Sequence, residues 1–315
     1  MLSIRFATLG SIAIVVASCH RPMSGEDHSS HTMGSSATVA GTGNTGTVGL
    51  PASGGAATAR MSSTARRGAW IKVPFDPGSK DTIMAWISYP ATTQKAPVVV
   101  VVSDINGLGV WSRAVADQAA AEGFIGVAPD FVSRLRGAPS TVELTPDSAR
   151  KLTSPLSSTE RNKVISRIAA HVMAMPQAAQ RYGVIGFCWG GATVFMHAVN
   201  GGIPGYGGGV GFYGLPYMDG PVPSRDSLAK IKTPVMLFNG SKDARIGAAM
   251  PAIDSMMKAL GKNYASKNFE GAVHGFMKSQ DDPKAQRDVA EEAANLTATK
   301  EAWPRTVEFL KRNLR

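Results

Sequence analysis

One cysteine stands between glycines at the end of an apolar run, in Gly186-Phe187-Cys188-Trp189-Gly190. A strand, a tight turn and a helix in that order leave the turn residue clear of both elements, the arrangement known as a nucleophile elbow. The flanking glycines suit it, because strand and helix cross closely there and a β-carbon would crowd them. A buried free cysteine is also common in cores, so these five residues leave an inert thiol open. A thiol that acts as a nucleophile needs a base within reach, and the base needs a group that orients it.

Both partners occur downstream in the order expected of an elbow hydrolase, with an acid first and a histidine after it, each on a loop following a later strand. Asp243 lies just beyond an apolar run in "LFNGSKDARI", and His274 just beyond the next run in "FEGAVHGFM". Taken alone, Asp243 reads as a turn or helix-cap residue and His274 as a surface histidine; their joint order, spacing and loop placement favour the chemical reading. His197 lies nine residues into the elbow helix, roughly 13 Å along its axis, and points away. His171 sits in a helix with no turn to present it. An oxyanion formed at Cys188 would rest on backbone N–H groups of Trp189 and of Ile105, the latter in "VVVSDINGLG" after an early strand. That glycine-containing loop has neither a GxGxxG nor a Gly-Lys-Ser/Thr pattern, which argues against a phosphate site.

The elements that must position these residues alternate in type. Residues 82–90, 96–103, 124–131, 206–214, 233–240 and 264–270 read as strands, and the valines of "APVVVVVS" suit a strand buried on both faces. Residues 111–122 read as a helix closing at Gly123, and Val164, Ile168, Val172 and Met175 mark one helical face in the stretch from Thr159. Asp282-Pro283 has the form of a helix start. Val307, Leu310 and Leu314 give the last helix its apolar side. The expected fold is α/β, a mostly parallel sheet flanked by helices on both faces and preceded by a disordered N-terminal tether.

The tether follows from composition. Residues 1–18 carry Arg5, an apolar run from Leu9 to Val16 and then small residues, the form of a signal peptide. Val16-Ala17-Ser18-Cys19 resembles a lipobox, which makes Cys19 the expected lipidation site and the protein an exported, membrane-anchored lipoprotein facing the bacterial periplasm. Residues 19–65 are mostly Gly, Ser, Thr and Ala and read as a flexible linker with too little apolar surface to offset ordering entropy. His20, Met23, His28, His31 and Met33 have no carboxylate frame around them, so no metal site is assigned. Residues 66–315 form the folded domain, which holds +9 of the net charge of +10. No basic run with interleaved aromatics occurs, which excludes a nucleic-acid partner. With Cys19 acylated, Cys188 has no disulfide partner in the chain, and an exported protein keeping one unpaired thiol points to use of that thiol.

From about residue 70 onward the chain resembles the dienelactone hydrolases (carboxymethylenebutenolidases), a cysteine branch of the α/β-hydrolases. The resemblance rests on "GFCWGG", "APDF" at 128–131, "NGSKDARI", "GAVHGF" and "AWPRTVEFLKRNL". It implies Cys188 as nucleophile, His274 as base, Asp243 as its orienter, and the Ile105 and Trp189 N–H groups as the oxyanion hole, with no cofactor or metal. It further implies a glutamate contacting the resting cysteine; Asp104, one methylene shorter, holds that position. Arginines and a serine that would hold a substrate carboxylate are replaced by Lys278 and Gly275, with Arg134 and Arg136 as candidates for a second cation. A lysine offers a point charge where arginine offers a bidentate fork. The implied activity is hydrolysis of a lactone or small carboxylic ester through a thioester. The competing expectations are a non-catalytic binding module on the same fold and a redox-responsive thiol protein. The sequence leaves the natural substrate and the oligomeric state open.

Overall fold

The computed structural model describes residues 46–216, 218–219, 222–280 and 288–315. Residues 1–45, and with them the signal peptide, Cys19 and the His/Met cluster, lie outside the described residues, as does the helix start expected at Asp282-Pro283.

The described chain opens with a short helix, α1 (Ala57–Ser63), followed by strands β1 (Gly68–Pro74), β2 (Thr82–Ser88) and β3 (Ala96–Val102). Helix α2 (Val110–Ala121), strand β4 (Ile125–Pro129), and helices α3 (Pro146–Thr153) and α4 (Ser158–Met173) come next. Strand β5 (Ala178–Phe187) leads directly into α5 (Trp189–Val199), and β6 (Tyr206–Phe212) follows. A two-residue-per-strand hairpin, β7 (Met218–Asp219) and β8 (Val222–Pro223), precedes α6 (Arg225–Ala229) and β9 (Val235–Gly240). The chain ends with α7 (Ala244–Ala259), β10 (Tyr264–Phe269), α8 (Phe276–Ser279) and the long α9 (Val289–Asn313).

Eight strands form one sheet in the order β1-β2-β4-β3-β5-β6-β9-β10. The pairs from β4 to β10 are parallel, while β2 pairs antiparallel with both β1 and β4. Val98 through Val102 are fully buried, as a central strand covered on both faces requires, and each valine contributes about 1.5 kcal/mol or more of burial. All parallel strands end at one edge, so the loops after β3, β5, β6, β9 and β10 meet there, where ligands bind in open α/β sheets.

Helix starts follow local chemistry. Ser157 and Glu160 form a reciprocal capping box on α4, and Pro146 occupies the first turn of α3 behind its Thr145 cap. Met175 falls beyond the end of α4, and α9 starts from an Asp288 cap. Strand β1, which lacks a strong apolar alternation, is held at the sheet edge by its seven-residue register with β2 and by the Trp70–Trp86 edge contact at 5.7 Å.

The folded unit begins earlier than composition suggests. Leu50, Ala52, Ala56 and Ala57 are buried, although they belong to the stretch read as linker. The reason is main-chain pairing: Trp111 Nε1 donates to the Ala52 carbonyl at 2.9 Å, Gln280 Nε2 to the Pro51 carbonyl at 2.8 Å, and the Gly54 N–H to the Lys278 carbonyl at 2.7 Å. Small residues let this backbone lie close to α2 and α8. A chain starting at residue 66 exposes these partners and removes the Leu50 burial, together worth about 3 kcal/mol. Its melting temperature should fall by about 5 °C or more relative to a chain starting at residue 42, which a paired thermal melt measures.

Candidate active site

Cys188 sits between β5 and α5 with φ 56° and ψ −115°. That region is strained for a residue with a β-carbon, at a cost of about 1–3 kcal/mol. Its surroundings leave no alternative path for the chain. A β-carbon on Gly190 would lie 2.4 Å from the Val102 and Ser103 carbonyl oxygens, and one on Gly186 would lie 2.3 Å from the Gly190 carbonyl oxygen. The turn is therefore clamped against the end of β3. The same contact brings the loop carrying Ser103, Asp104 and Ile105 to the elbow. Trp189 is the first residue of α5, so its N–H has no acceptor within the helix. Phe131, from "APDF", meets the Trp189 ring edge-on at 5.3 Å and props it from the β4 side.

Asp243 and His274 are brought together by close approach of two loops. Gly240 ends β9 where a β-carbon would lie 2.3 Å from the Ala272 carbonyl oxygen, so the loop after β10 closes directly onto it. Asp243 caps α7, with Oδ1 accepting the Ile246 N–H at 3.2 Å, while Oδ2 accepts Nδ1–H of His274 at 2.5 Å. One carboxylate serves as helix cap and imidazole partner. With Nδ1 taken by Asp243, Nε2 is the ring nitrogen left for the sulfur, and Cys188 lies near enough to raise the imidazole pKa.

The imidazole pKa is raised from 6.5 to about 8, chiefly by its interaction with Cys188, against partial burial, with the Asp243 bond and both charges adding to the rise. A histidine whose folded pKa lies above its unfolded value stabilises the fold fully below pH 6.5, and that contribution disappears as pH rises through about 8. NMR titration of the His274 ring should give a midpoint near 8 in the wild type and a lower one in Cys188→Ala, because the largest cause is then gone. An unchanged midpoint in Cys188→Ala would contradict the Cys188–His274 contact.

The remaining expected site residues divide. Asp104 reaches the site but bonds elsewhere: Oδ2 accepts Lys278 Nζ at 2.9 Å and Oδ1 accepts the Asn106 N–H at 2.8 Å. Lys278 thus stands at the site on Asp104, with its ammonium 5.4 Å from the centre of the Trp111 ring. Arg134 is held by Asp81 at 2.7 Å and lies over the Phe75 ring. Arg136 is 1 % exposed and its Nη1 donates to Asp130 at 2.7 Å. The structure brings neither arginine together with Cys188. Buried pairing takes Arg136, and an ion pair with aromatic stacking takes Arg134.

Two features escaped the sequence reading. Tyr213, one residue past β6, has φ 39° and packs its ring 5.1 Å from that of His274. The only trace in the sequence is the Gly214 that follows, where a β-carbon would lie 2.4 Å from the Cys188 carbonyl oxygen. The second is the segment at residues 51–54, which bonds to the Trp111 ring and to the Lys278 main chain. His197 is fully buried, bonded to Tyr182 and Asn162, with its pKa pushed down to about 3 by burial; it takes no part in the elbow. Among the described residues no group of three or more His, Cys, Asp or Glu forms a metal site.

A mostly parallel eight-stranded sheet with an elbow after its fifth strand and an acid–histidine pair after later strands defines an α/β-hydrolase fold. Residues 83–314 match the dienelactone hydrolase family, and the chain belongs to that family. It is 28% identical over 257 residues to a Bradyrhizobium sp. protein named a probable 2-oxo-3-(5-oxofuran-2-ylidene)propanoate lactonase, covering 78% of this chain and 94% of that one. It is 29% identical over 208 residues to the Mus musculus carboxymethylenebutenolidase homolog, covering 62% of this chain and 77% of that one. The crystal structure of P91, a dienelactone hydrolase-like promiscuous phosphotriesterase from metagenomic libraries, superposes with a TM-score of 0.58 at 20% identity, over 77% of this chain and 99% of that one. The protein is a dienelactone hydrolase-like hydrolase.

Proposed function

We propose that the protein hydrolyses a lactone or small carboxylic ester with Cys188 as nucleophile, His274 as acid and base, and Asp243 as the group that orients the imidazole. The observation that carries this reading is the His274–Asp243 pair at 2.5 Å standing beside Cys188 on a strained strand-to-helix turn. The relative named as a lactonase of an oxofuranylidene acid supports a lactone as the substrate class.

In the first step Cys188 gives its proton to His274 Nε2, and the thiolate sulfur attacks the carbonyl carbon. The carbonyl oxygen takes up the negative charge and rests on the Trp189 and Ile105 N–H groups, where one donor lost costs about 3–4 kcal/mol of barrier. The C–O bond of the lactone or ester then breaks, the departing oxygen takes the proton from His274, and a thioester remains on Cys188. His274 next accepts a proton from water as the water attacks the thioester carbonyl, the C–S bond breaks to release the acid, and His274 returns the proton to the departing Cys188 sulfur. Asp243 keeps the imidazole in the tautomer with hydrogen on Nδ1 and stabilises its charged form. The test is turnover of p-nitrophenyl acetate and of a dienelactone by the wild type beside Cys188→Ala and His274→Ala.

A further inference from the structure

The two ends of the strands differ in charge. Strands β3, β5, β6, β9 and β10 begin side by side along one edge of the sheet. Lys95 immediately precedes β3, Arg181 precedes the Tyr182 that pairs with the first residue of β6, Lys232 lies in the turn before β9, and Lys258 in the last turn of α7 before β10. Helix α9 ends at the same edge, since a β-carbon on Gly207 would lie 2.5 Å from the Asn313 carbonyl oxygen, and it adds Lys311 and Arg315. All of these cations are exposed, and among the described residues none has an ion-pair partner. The acids near this edge are engaged elsewhere: Glu308 pairs with Arg312, Glu122 accepts from Trp303, and Asp254 accepts from Tyr264 and Ser266. At the opposite edge, where Cys188 stands, Lys278 is neutralised by Asp104, Arg134 by Asp81 and Lys242 by Glu291.

Helix ends explain only part of this. A helix C-terminus carries about half a negative charge and favours cations in its last turn, which accounts for Lys258 and Lys311. Lys95, Arg181 and Lys232 stand at strand entries, where no such charge calls for them, and a surplus of unpaired like charge works against the compact state. That surplus faces outward on a broad front, since eight strands at about 4.8 Å make the edge about 34 Å wide. Single charges set across so wide a face suit mobile phosphate headgroups, which gather beneath each of them. The chain also joins the fold here, for Gly49 lines a groove with Lys311, Arg312 and Arg315, and Val48 beside it is exposed. A lipid on Cys19, expected from the sequence, would tie this edge to a bilayer.

We propose that the strand-entry edge is a docking surface for a bilayer containing anionic phospholipid, with lysine and arginine charges held at the headgroups and the Cys188 edge turned to solvent. The charges act at the surface and add to any acyl anchor. Substrate then reaches the elbow from the aqueous side.

The test is flotation of the full chain, carrying Cys19→Ser so that no acyl group contributes, with vesicles of phosphatidylcholine alone or with one quarter phosphatidylglycerol. The anionic vesicles should bind it at least tenfold more tightly than the neutral ones, and raising salt to about 0.5 M should cut that preference at least fivefold. Lys232→Glu, Lys258→Glu and Lys311→Glu together should remove at least nine-tenths of the preference. The control reverses as much charge at the other edge, with Lys80→Glu before β2 and Arg150→Glu and Lys151→Glu in α3, and should keep at least half of it. Equal losses in the two variants, or none in the first, overturn the proposal. Should the first variant not fold, Lys95→Gln with Lys232→Gln, both outside helices, should lower the preference at least threefold, and no change would overturn the proposal equally. Salt-sensitive binding of a DNA duplex without any preference for anionic vesicles would assign the edge to nucleic acid and also overturns it. Ester turnover enters none of these measurements, so failure of the hydrolase reading leaves the docking surface standing.

Discussion

Cys188→Ala and His274→Ala should each lower kcat/KM for p-nitrophenyl acetate by about 10³-fold or more, and the double variant should lose little beyond either single one. On the proposed mechanism nucleophile and base act as a unit, so removing either one abolishes attack by an activated sulfur. Asp243→Asn should cost less, because the Ile246 cap can persist while the imidazole loses its charged partner. A thousandfold loss is about 4 kcal/mol of transition-state stabilisation. Losses that simply multiply in the double variant would mean that the two residues act separately. Ligand binding that survives in Cys188→Ala with no turnover in the wild type would favour a binding module. A stable sulfenic acid or mixed disulfide at Cys188 with no ester turnover would favour a redox role.

Asp130→Ala should destabilise the domain by about 3–5 kcal/mol, the range for removing one partner of a buried ion pair. Asp130 is fully buried and accepts from Arg136 Nη1 at 2.7 Å, Ser140 Oγ at 2.6 Å and the Val132 N–H at 3.1 Å. Its removal leaves the Arg136 guanidinium, itself 1 % exposed, as an uncompensated charge in the interior. In urea the midpoint should drop at constant m-value. The pair Asp130→Ala with Arg136→Met should cost less than Asp130→Ala alone, because the stranded charge goes with it. If the double variant is the less stable of the two, stranded charge is not the cause. Phe131 follows Asp130 directly and supports Trp189, so the single variant should also slow hydrolysis.

Much of this was legible before any coordinates. The valine run 98–102 could only be a strand covered on both faces, and the spacing of Asp243 and His274 behind two further apolar runs placed them on adjoining loops. What the pattern could not carry was anything decided by backbone approach. Ala52, Ala56 and Ala57 look like linker to a reading that counts large apolar side chains, yet their smallness is what lets the segment seat on α2 and offer its carbonyls to Trp111 and Gln280. Nothing about a tyrosine announces a positive φ, so Tyr213 was invisible. Arginines near "APDF" invited a ligand because sequence shows charge without direction; Arg136 proved to face Asp130 and Arg134 to face Asp81. Asp104 pairs with Lys278, four residues past a histidine on a far loop, a partner that no local pattern announces.

The clamped elbow also bears on how this domain can diverge. Gly186, Gly190, Gly191 and Gly214 each have a backbone atom within 2.5 Å of where a β-carbon would stand, so drift at any of them displaces the main chain that aims the sulfur. Lys278, Asp104 and the chain at 51–54 carry no such steric debt to the elbow. Side chains can be exchanged at those positions without moving the main chain that the four glycines hold in place.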